Sequence, residues 1–226
     1  MLVKNWMTPN VVTIAPEDSM QHVINIMKEK KVHMLPVVKG GKLVGVVSDS
    51  DLKRASASEA TTLDMHELLY LISKIKVGDI MTRNPFTVRV DSTVEETAEL
   101  LMEKRISGVP VVDDQGQVVG IITRDDLFVV LNALSGFGKR GIQFAFRVED
   151  KPGSIMALAD IVRKYGGRIA SMLSTDARMP PGTKLAYIRV YDFDRKNLPK
   201  LQAELKEKAQ IIYMVDHREN KREIYA

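Results

Sequence analysis

Two short stretches of the chain place a hydroxyl group and a carboxylate at the same spacing. Ser48 precedes Asp51, and Thr123 precedes Asp126, in each case directly after a run of β-branched residues. An ionised carboxylate can accept hydrogen bonds on two oxygens, and a Ser or Thr hydroxyl can both donate and accept one. Each stretch therefore predicts a polar binding site at the end of a strand.

The same spacing is also typical of a helix N-terminal cap. A Ser or Thr followed three residues later by a carboxylate satisfies backbone N–H groups that the first helical turn leaves free. One isolated copy would favour the cap, whereas two copies inside matching repeats favour a binding role. The two roles are compatible, because a helix N-terminus also favours phosphate.

The residues around both pairs form an internal repeat. Met7-Thr8 and Pro36-Val37-Val38 recur as Met81-Thr82 and Pro110-Val111-Val112, with one extra residue in the turn at 113–116. Each copy predicts strand, helix, strand, strand and helix. The first helix of each copy is predicted to begin at a pair of N-cap and N3 residues, Asp18 with Gln21 and Ser92 with Glu95. Each helix is also predicted to bury one apolar face, formed by Met20, Val23, Ile24 and Met27 in the first copy and by Val94, Ala98, Leu101 and Met102 in the second.

Composition excludes several kinds of chemistry. The 226-residue chain has 45% hydrophobic and 27% charged residues, as expected of a globular protein, and it contains no cysteine, so disulfides, thiolate nucleophiles and cysteine-ligated metals are excluded. The four histidines are scattered, and no P-loop or nucleophile–base pair is present, so neither a metal site nor an enzyme is predicted. The net charge of +4 suits a phosphate-bearing ligand, but without a basic stripe nucleic acid is not an expected partner. No apolar run is long enough to span a bilayer, so we expect a cytoplasmic protein without a membrane partner.

The last third of the chain predicts a second folding unit with the order β-α-β-β-α-β. Its strands are expected near 142–148, 169–174, 185–190 and 211–215, and its helices at 154–165 and 198–208. The preceding Gly136-to-Gly141 segment matches GxGxxG, but it follows a helix and precedes a strand, the reverse of a dinucleotide-binding turn. It is therefore interpreted as a linker.

The tandem Met-Thr, Pro-Val-Val and Gly-x-x-Ser/Thr-x-x-Asp segments resemble a pair of CBS domains, a Bateman module, and the last third resembles an ACT domain. Over nearly the whole chain this order is similar to the acetoin-utilisation protein B family. The resemblance implies an α/β (α+β) fold with a CBS pair followed by a ferredoxin-like ACT domain. The implied boundaries are 1–60 for the first CBS domain, 61–76 for a linker helix that includes His66 to Ile75, 77–134 for the second CBS domain, 135–141 for a linker, 142–216 for the ACT domain and 217–226 for a charged, solvated tail.

The resemblance also implies a function. Such modules are sensors without catalytic activity that bind AMP, ADP, ATP or S-adenosylmethionine between the repeats, and here a homodimer that regulates an unknown protein of carbon metabolism is expected, with no required cofactor or metal. The alternative is an assembly module that has lost its ligand response. The implied nucleotide-binding residues are Thr13, His33, Met34, Leu35, Pro36, Ser48 and Asp51 in the first repeat and Thr87, Ser107, Gly108, Val109, Pro110, Thr123, Arg124 and Asp126 in the second, with adenine against the backbone before either Pro-Val strand.

One difference between the repeats predicts unequal sites. Arg124 follows Thr123, where a guanidinium can bind a phosphate through two hydrogen bonds, whereas Asp49 follows Ser48 and would repel one. We therefore expect a phosphorylated adenosine at the Thr123 site and a weaker or less anionic ligand at the Ser48 site.

The ACT resemblance implies a small amino acid where the first strand meets the first helix of that domain. Gly153 would allow a ligand carboxylate to approach backbone N–H groups. The residues implied are Asp150, Pro152, Gly153, Ser154 and Arg168. Many amino-acid-binding members have an asparagine where this chain has Arg168, so amino-acid binding and a purely dimerising role both remain open.

Overall fold

The structure, a computed structural model, describes residues 1–59 and 72–225, which divide into two compact units, Met1–Phe128 and Val129–Ala226. Among the described residues, no helix combines the length and apolar character needed to cross a membrane. Most of the predicted linker helix at 61–76 lies outside the described residues, and residues 72–74 are helical.

The two repeats account for the helices and strands up to residue 134, so their last helix extends past the end of the first unit. The first repeat follows a short 3-10 turn at Val3–Asn5 and contains β1 (Thr8–Pro9), α1 (Met20–Lys30), β2 (Met34–Lys39), β3 (Lys42–Ser48) and α2 (Asp49–Glu59). The second repeat contains α3 (Val77–Ile80), β4 (Thr82–Arg83), β5 (Val88–Arg89), α4 (Val94–Glu103), β6 (Gly108–Val112), β7 (Val118–Thr123) and α5 (Arg124–Leu134).

The first strand of each repeat belongs to the sheet of the other repeat. β1 pairs with β7 and β4 pairs with β3, so the sheets have the orders β1-β7-β6-β5 and β2-β3-β4. Two glycines permit this exchange. A Cβ atom added at Gly120 would lie 2.6 Å from Sδ of Met7, and one added at Gly45 would lie 2.6 Å from Sδ of Met81. The Met-Thr and Gly motifs therefore recur together because each Met-Thr segment packs across the glycine of the other repeat.

The helix faces were predicted correctly in α1 and only partly in α4. Met20, Val23 and Met27 are buried in the core of the first repeat. In α4, however, Met102 is 77% exposed, and the position that faces inward is the fully buried Thr97, whose hydroxyl donates 2.9 Å back to the Thr93 carbonyl. A threonine satisfied in this way can occupy a core position that residue polarity alone assigns to solvent.

Both helix starts lie one residue later than predicted. Ser19 caps α1 by accepting from the N–H of His22, and Thr93 forms a capping box with Glu96. The predicted cap Asp18 instead accepts a 2.7 Å hydrogen bond from the N–H of Ala15 in the preceding turn. Each run of consecutive polar residues offers more than one cap, and the tertiary position of the turn selects between them.

The second unit follows the predicted order of elements and adds one strand. It contains β8 (Ile142–Glu149), α6 (Ser154–Lys164), β9 (Arg168–Thr175), β10 (Thr183–Tyr191), α7 (Leu198–Lys208), β11 (Gln210–Asp216) and β12 (Lys221–Ile224), with 3-10 turns at Phe137–Lys139 and Arg195–Asn197. The sheet order is β12-β11-β8-β10-β9, and its core includes Phe144, Phe146, Leu158, Ile188 and Leu205.

Part of the predicted solvated tail is a strand. Residues 221–224 form β12 and pair antiparallel with β11. The turn before β12 is held by the buried carboxylate of Asp216, which accepts from the N–H groups of Arg218 and Glu219 and from Arg195. Backbone pairing needs no apolar side chains, so a charged sequence can form an edge strand once this turn is fixed.

Candidate functional site

Two clefts in the first unit each contain one of the predicted hydroxyl–carboxylate pairs. We call them the Asp126 cleft, of about 320 Å³, which includes Thr123 and Asp126, and the Asp51 cleft, of about 590 Å³, which includes Ser48 and Asp51. In both, a strand ends at the hydroxyl residue, and a helix begins at the next residue.

Asp126 acts as a cap through one oxygen only. Its Oδ2 accepts hydrogen bonds from the backbone N–H of Thr123 at 2.7 Å and from the Thr123 hydroxyl at 2.8 Å. Its Oδ1 receives no hydrogen bond from any residue that the structure describes. One carboxylate thus stabilises the strand-to-helix junction and still has one oxygen without a hydrogen bond from the described residues, so the cap is compatible with the predicted binding role.

Asp51 is bonded through both oxygens. Oδ2 accepts from the N–H and hydroxyl of Ser48 at 2.9 and 2.7 Å. Oδ1 accepts from Nη2 of Arg54 at 2.6 Å and from the hydroxyl of Thr82 at 3.3 Å. The residue at the position equivalent to Arg54 in the second repeat is Val129, which has no side-chain donor. A ribose in this cleft must therefore compete with Arg54 for Oδ1.

Each cleft combines the carboxylate of one repeat with the Pro-Val strand of the other. His33 and Met34 line the Asp126 cleft, whereas Gly108, Val109 and Pro110 line the Asp51 cleft. Three predicted residues line both clefts: Met34, Ser107 and Arg124. A ligand in either cleft would contact both repeats, as the resemblance implies, and the structure shows which Pro-Val strand belongs to which cleft.

Neither cleft is lined by four of the predicted residues: Thr13, Leu35, Pro36 and Thr87. Leu35 is buried in the core of the first repeat, and the Pro36 carbonyl accepts from the N–H of Ile14. The exchanged segments supply the cleft walls instead, with Thr8 and Val11 in the Asp126 cleft and Thr82 and Phe86 in the Asp51 cleft. The recurring Met-Thr was the sequence signal for these walls, but it does not reveal which repeat they serve.

The charge contrast expected from Arg124 and Asp49 is not found in this arrangement. Asp49 lies outside the Asp51 cleft, where its Oδ2 is 2.6 Å from Nδ1 of His33. Arg124, by contrast, lines both clefts. The expected repulsion by Asp49 therefore gives no reason for the Ser48 site to be the less anionic one.

A third cavity, of about 510 Å³, lies where β8 meets α6 in the second unit. It brings together the predicted residues Pro152, Gly153 and Ser154 with Lys151 and Lys208. Gly153 adopts a left-handed φ of 86° as the cap of α6, a conformation that favours glycine. The Ser154 hydroxyl oxygen is buried without a hydrogen-bond partner among the described residues.

The other two predicted residues of this site lie elsewhere. The Asp150 carboxylate forms an ion pair of 2.6 Å with Lys184, and Arg168 lies 3.7 Å from Asp192. Neither residue lines the third cavity. Across the described part of the chain, no group of His, Asp and Glu side chains has the geometry of a metal site.

Comparison with known proteins identifies the family to which this chain belongs. The sequence profile of the CBS domain matches residues 3–58 and 77–133, half of the chain, so the chain belongs to the CBS domain family as a tandem pair. The predicted mixed α+β fold with a CBS pair is thereby confirmed. Residues 142–216 lie outside the match.

Individual relatives agree with this assignment. A CBS domain-containing protein of Dictyostelium discoideum is 33% identical over 132 residues, covering 58% of this chain and 91% of that protein. An uncharacterised protein of Methanocaldococcus jannaschii is 32% identical over 154 residues with the same coverage, 58% and 91%. The CBS domain pair of protein MJ0100, solved in complex with 5′-methylthioadenosine and S-adenosyl-L-methionine, is 32% identical with a TM-score of 0.51, covering 58% of this chain and 96% of that one.

Proposed function

We propose that this protein is a regulatory sensor without catalytic activity whose CBS pair binds an adenosyl ligand: AMP, ADP, ATP or S-adenosylmethionine. The observation that carries the proposal is the Asp126 carboxylate, which uses Oδ2 for the cap and leaves Oδ1 available within a cleft. A ribose diol would donate to this oxygen, and adenine would lie against Met34 and the apolar side chains of Val11 and Ile121. The adenosyl ligands bound by the CBS pair of MJ0100 support the same class of ligand.

Regulation would follow from the position of the ligand between the repeats. A ligand that contacts His33 of one repeat and Asp126 of the other stabilises only those conformations in which both walls are in place. Binding two conformations unequally is what allows a ligand to shift their populations. We further propose that the regulated protein acts in carbon metabolism, because the domain order resembles that of the acetoin-utilisation protein B family.

A homodimer forms part of the proposal. On α5, the side chains of Phe128, Val129 and Leu131 are 62%, 58% and 58% exposed. Exposed apolar groups of this size on one helix mark a surface for association. A second copy of the chain would cover them and transmit the state of one CBS pair to the other.

Thermal unfolding with AMP, ADP, ATP, S-adenosylmethionine and 5′-methylthioadenosine tests the central claim. A ligand at 100 times its dissociation constant should stabilise the state that binds it by about 2.7 kcal/mol. At least one compound should raise the Tm of the wild type and of the exposed control Asp160→Asn, and Asp126→Asn or Asp51→Asn should abolish the shift. Absence of any shift would favour the alternative, an assembly module without ligand response.

The second unit supports a second ligand, a small amino acid. Its β-α-β-β-α-β order resembles an ACT domain, proposed here to span 142–216 after CBS domains at 1–60 and 77–134. The ligand carboxylate would lie at the start of α6, where the third cavity combines Gly153, the Ser154 hydroxyl, which has no partner among the described residues, and the cation Lys208. The cation Lys151 also lines this cavity, where it is paired with Glu149. Calorimetry with the common amino acids should give saturable binding that Ser154→Ala weakens; no binding would leave a dimerising role for this domain.

A further inference from the structure

The two clefts use equivalent positions of the two repeats, which makes their differences directly comparable. The two carboxylates occupy equivalent positions, and so do two cations that follow the first long helix of each repeat. Lys31, after α1, lines the Asp126 cleft, and Arg105, after α4, lines the Asp51 cleft; both have a left-handed φ of 54°. Both clefts also share Arg124. The backbone frame and two of the cations are thus common to both.

Two other equivalent positions differ, and both change the charge in the same direction. Ser50 lines the Asp51 cleft, whereas Asp125 lines the Asp126 cleft. Arg83 lines the Asp51 cleft, and the equivalent residue of the first repeat is Pro9. The Asp51 cleft therefore has one carboxylate fewer and one cation more than the Asp126 cleft.

As a result, the charged side chains make the Asp51 cleft cationic and leave the Asp126 cleft balanced. In the Asp51 cleft the guanidiniums of Arg83, Arg105 and Arg124 face Asp51 alone, and Asp51 is already paired with Arg54 at 2.6 Å. In the Asp126 cleft two carboxylates balance Lys31 and Arg124, and His33 is paired with Asp49. The Asp51 cleft also has the larger volume, about 590 Å³ against about 320 Å³.

We infer that the two clefts select adenosyl ligands by charge: the Asp51 cleft takes adenosine bearing 5′-phosphates, and the Asp126 cleft takes adenosine whose 5′ substituent carries no phosphate. This inference rests on the proposed function and reverses the expectation drawn from Arg124 and Asp49. Guanidinium groups bind phosphate oxygens through paired, charge-assisted hydrogen bonds, whereas an added carboxylate repels them. A neutral thioether or a sulfonium group meets no such repulsion beside Asp125.

Isothermal titration calorimetry of the full chain with ATP and with 5′-methylthioadenosine tests the inference. The wild type should bind ATP in a manner that Asp51→Asn weakens and Asp126→Asn leaves unchanged, and 5′-methylthioadenosine should show the reverse. These asparagine variants keep an oxygen that can accept the capping hydrogen bonds, so the folded state is maintained.

Reciprocal charge exchange gives the sharper test. Ser50→Asp should weaken ATP binding by about tenfold or more, as should Arg83→Gln, without changing the affinity for 5′-methylthioadenosine. Asp125→Ser should create or strengthen ATP binding at the Asp126 cleft. All three positions are exposed, and glutamine at position 83 retains a donor for the Gly78 carbonyl that Arg83 now bonds at 2.7 Å.

The outcomes separate this inference from the proposed function. ATP binding that depends on Asp126, or that is indifferent to both Ser50→Asp and Arg83→Gln, overturns the selection by charge while leaving the sensor in place. Failure of both ATP and 5′-methylthioadenosine to bind overturns the inference and, together with a flat thermal-shift panel, the proposed function as well.

Discussion

At the scale of single residues, the two aspartates show how one motif can serve differently in two copies. Both cap a helix through Oδ2, but only in the first repeat does an arginine on the next helical turn reach Oδ1. The Arg54 side chain is 73% exposed, so it can leave the carboxylate without opening the core. In the proposed complex, Arg54 would therefore compete with the hydroxyl donors of a ribose for Oδ1 of Asp51.

Replacing Arg54 by methionine should tighten ligand binding at the Asp51 cleft. The variant removes a charged competitor at Oδ1 and keeps much of the aliphatic side chain, so we expect an increase in affinity of up to about tenfold. Titration calorimetry with adenosine in the Asp126→Asn background measures the change, because adenosine has no phosphate that the unneutralised Asp51 would repel. Lys53→Met, which removes a neighbouring exposed cation, should leave the affinity nearly unaltered. Equal affinities of Arg54→Met and wild type would show that Arg54 does not compete.

A buried carboxylate in the second unit makes stability depend on pH. Burial opposes the ionisation of Asp216, but hydrogen bonds from Arg195 and from the N–H groups of Glu219 and Arg218 outweigh it and hold its pKa below the ordinary value. A depressed native pKa means that this stabilisation is fully present above the unfolded value, about 3.9, and is lost as the pH falls through the native value.

The variant Asp216→Asn should lose about 1.5 to 3 kcal/mol of unfolding free energy at pH 7, because a charged acceptor is replaced by a neutral one. Denaturant unfolding of both proteins between pH 7 and pH 2 checks this. The difference between them should shrink as the pH falls below about 4. A difference that stays constant over this range would contradict the assignment.

At the scale of elements, the exchanged strands β1 and β4 build the clefts. Each is only two residues long, yet each carries a threonine to the cleft of the other repeat's carboxylate. Their position depends on the flat surface that Gly45 and Gly120 offer to a methionine. Packing at each glycine therefore sets the position of a cleft wall that the proposed ligand would contact.

Replacing Gly120 by alanine should impair both stability and binding at the Asp126 cleft. The added Cβ would lie 2.6 Å from Sδ of Met7 and 2.9 Å from the Thr8 carbonyl, so β1 must shift, at a cost of about 1 to 3 kcal/mol. Thermal unfolding and calorimetry with 5′-methylthioadenosine measure the two effects. Gly138→Ala, where a Cβ meets nothing within 4 Å, is the control. Unchanged stability of Gly120→Ala would contradict this account of the strand exchange.

At the scale of the whole molecule, the CBS pair and the second unit contain separate cavities, to which the proposed function assigns two kinds of ligand. If both cavities bind ligands, any coupling between them must be reciprocal. An adenosyl ligand that changes the affinity for an amino acid by some factor must have its own affinity changed by the amino acid by the same factor. Assembly into a dimer is the simplest means of joining such sites, because it makes the state of each copy depend on the other.

The dimer can be tested by breaking its proposed surface. Phe128→Glu combined with Leu131→Glu places two charges on the exposed apolar side of α5, where burial against a second copy would become unfavourable. Sedimentation velocity should show a dimer for the wild type and for the charge-altered control Asp160→Lys, and a monomer for the double variant. A monomeric wild type, or a dimer that survives both substitutions, would exclude this surface.

Local sequence was sufficient to predict the repeats, their longer helices and strands, and the hydroxyl–carboxylate pairs, because caps, turns and periodic apolar faces depend on residues a few positions apart. The capture of Asp51 by Arg54 was also accessible, since residues three apart share a helix face. Only the tertiary structure decided that β1 and β4 exchange sheets, and therefore that Asp126 faces His33 while Asp51 faces Gly108. Such pairing joins backbone segments that are far apart in the sequence, so local patterns do not predict it. The same reason applies to β12, because backbone hydrogen bonds hold it in the sheet and its charged side chains do not indicate a strand.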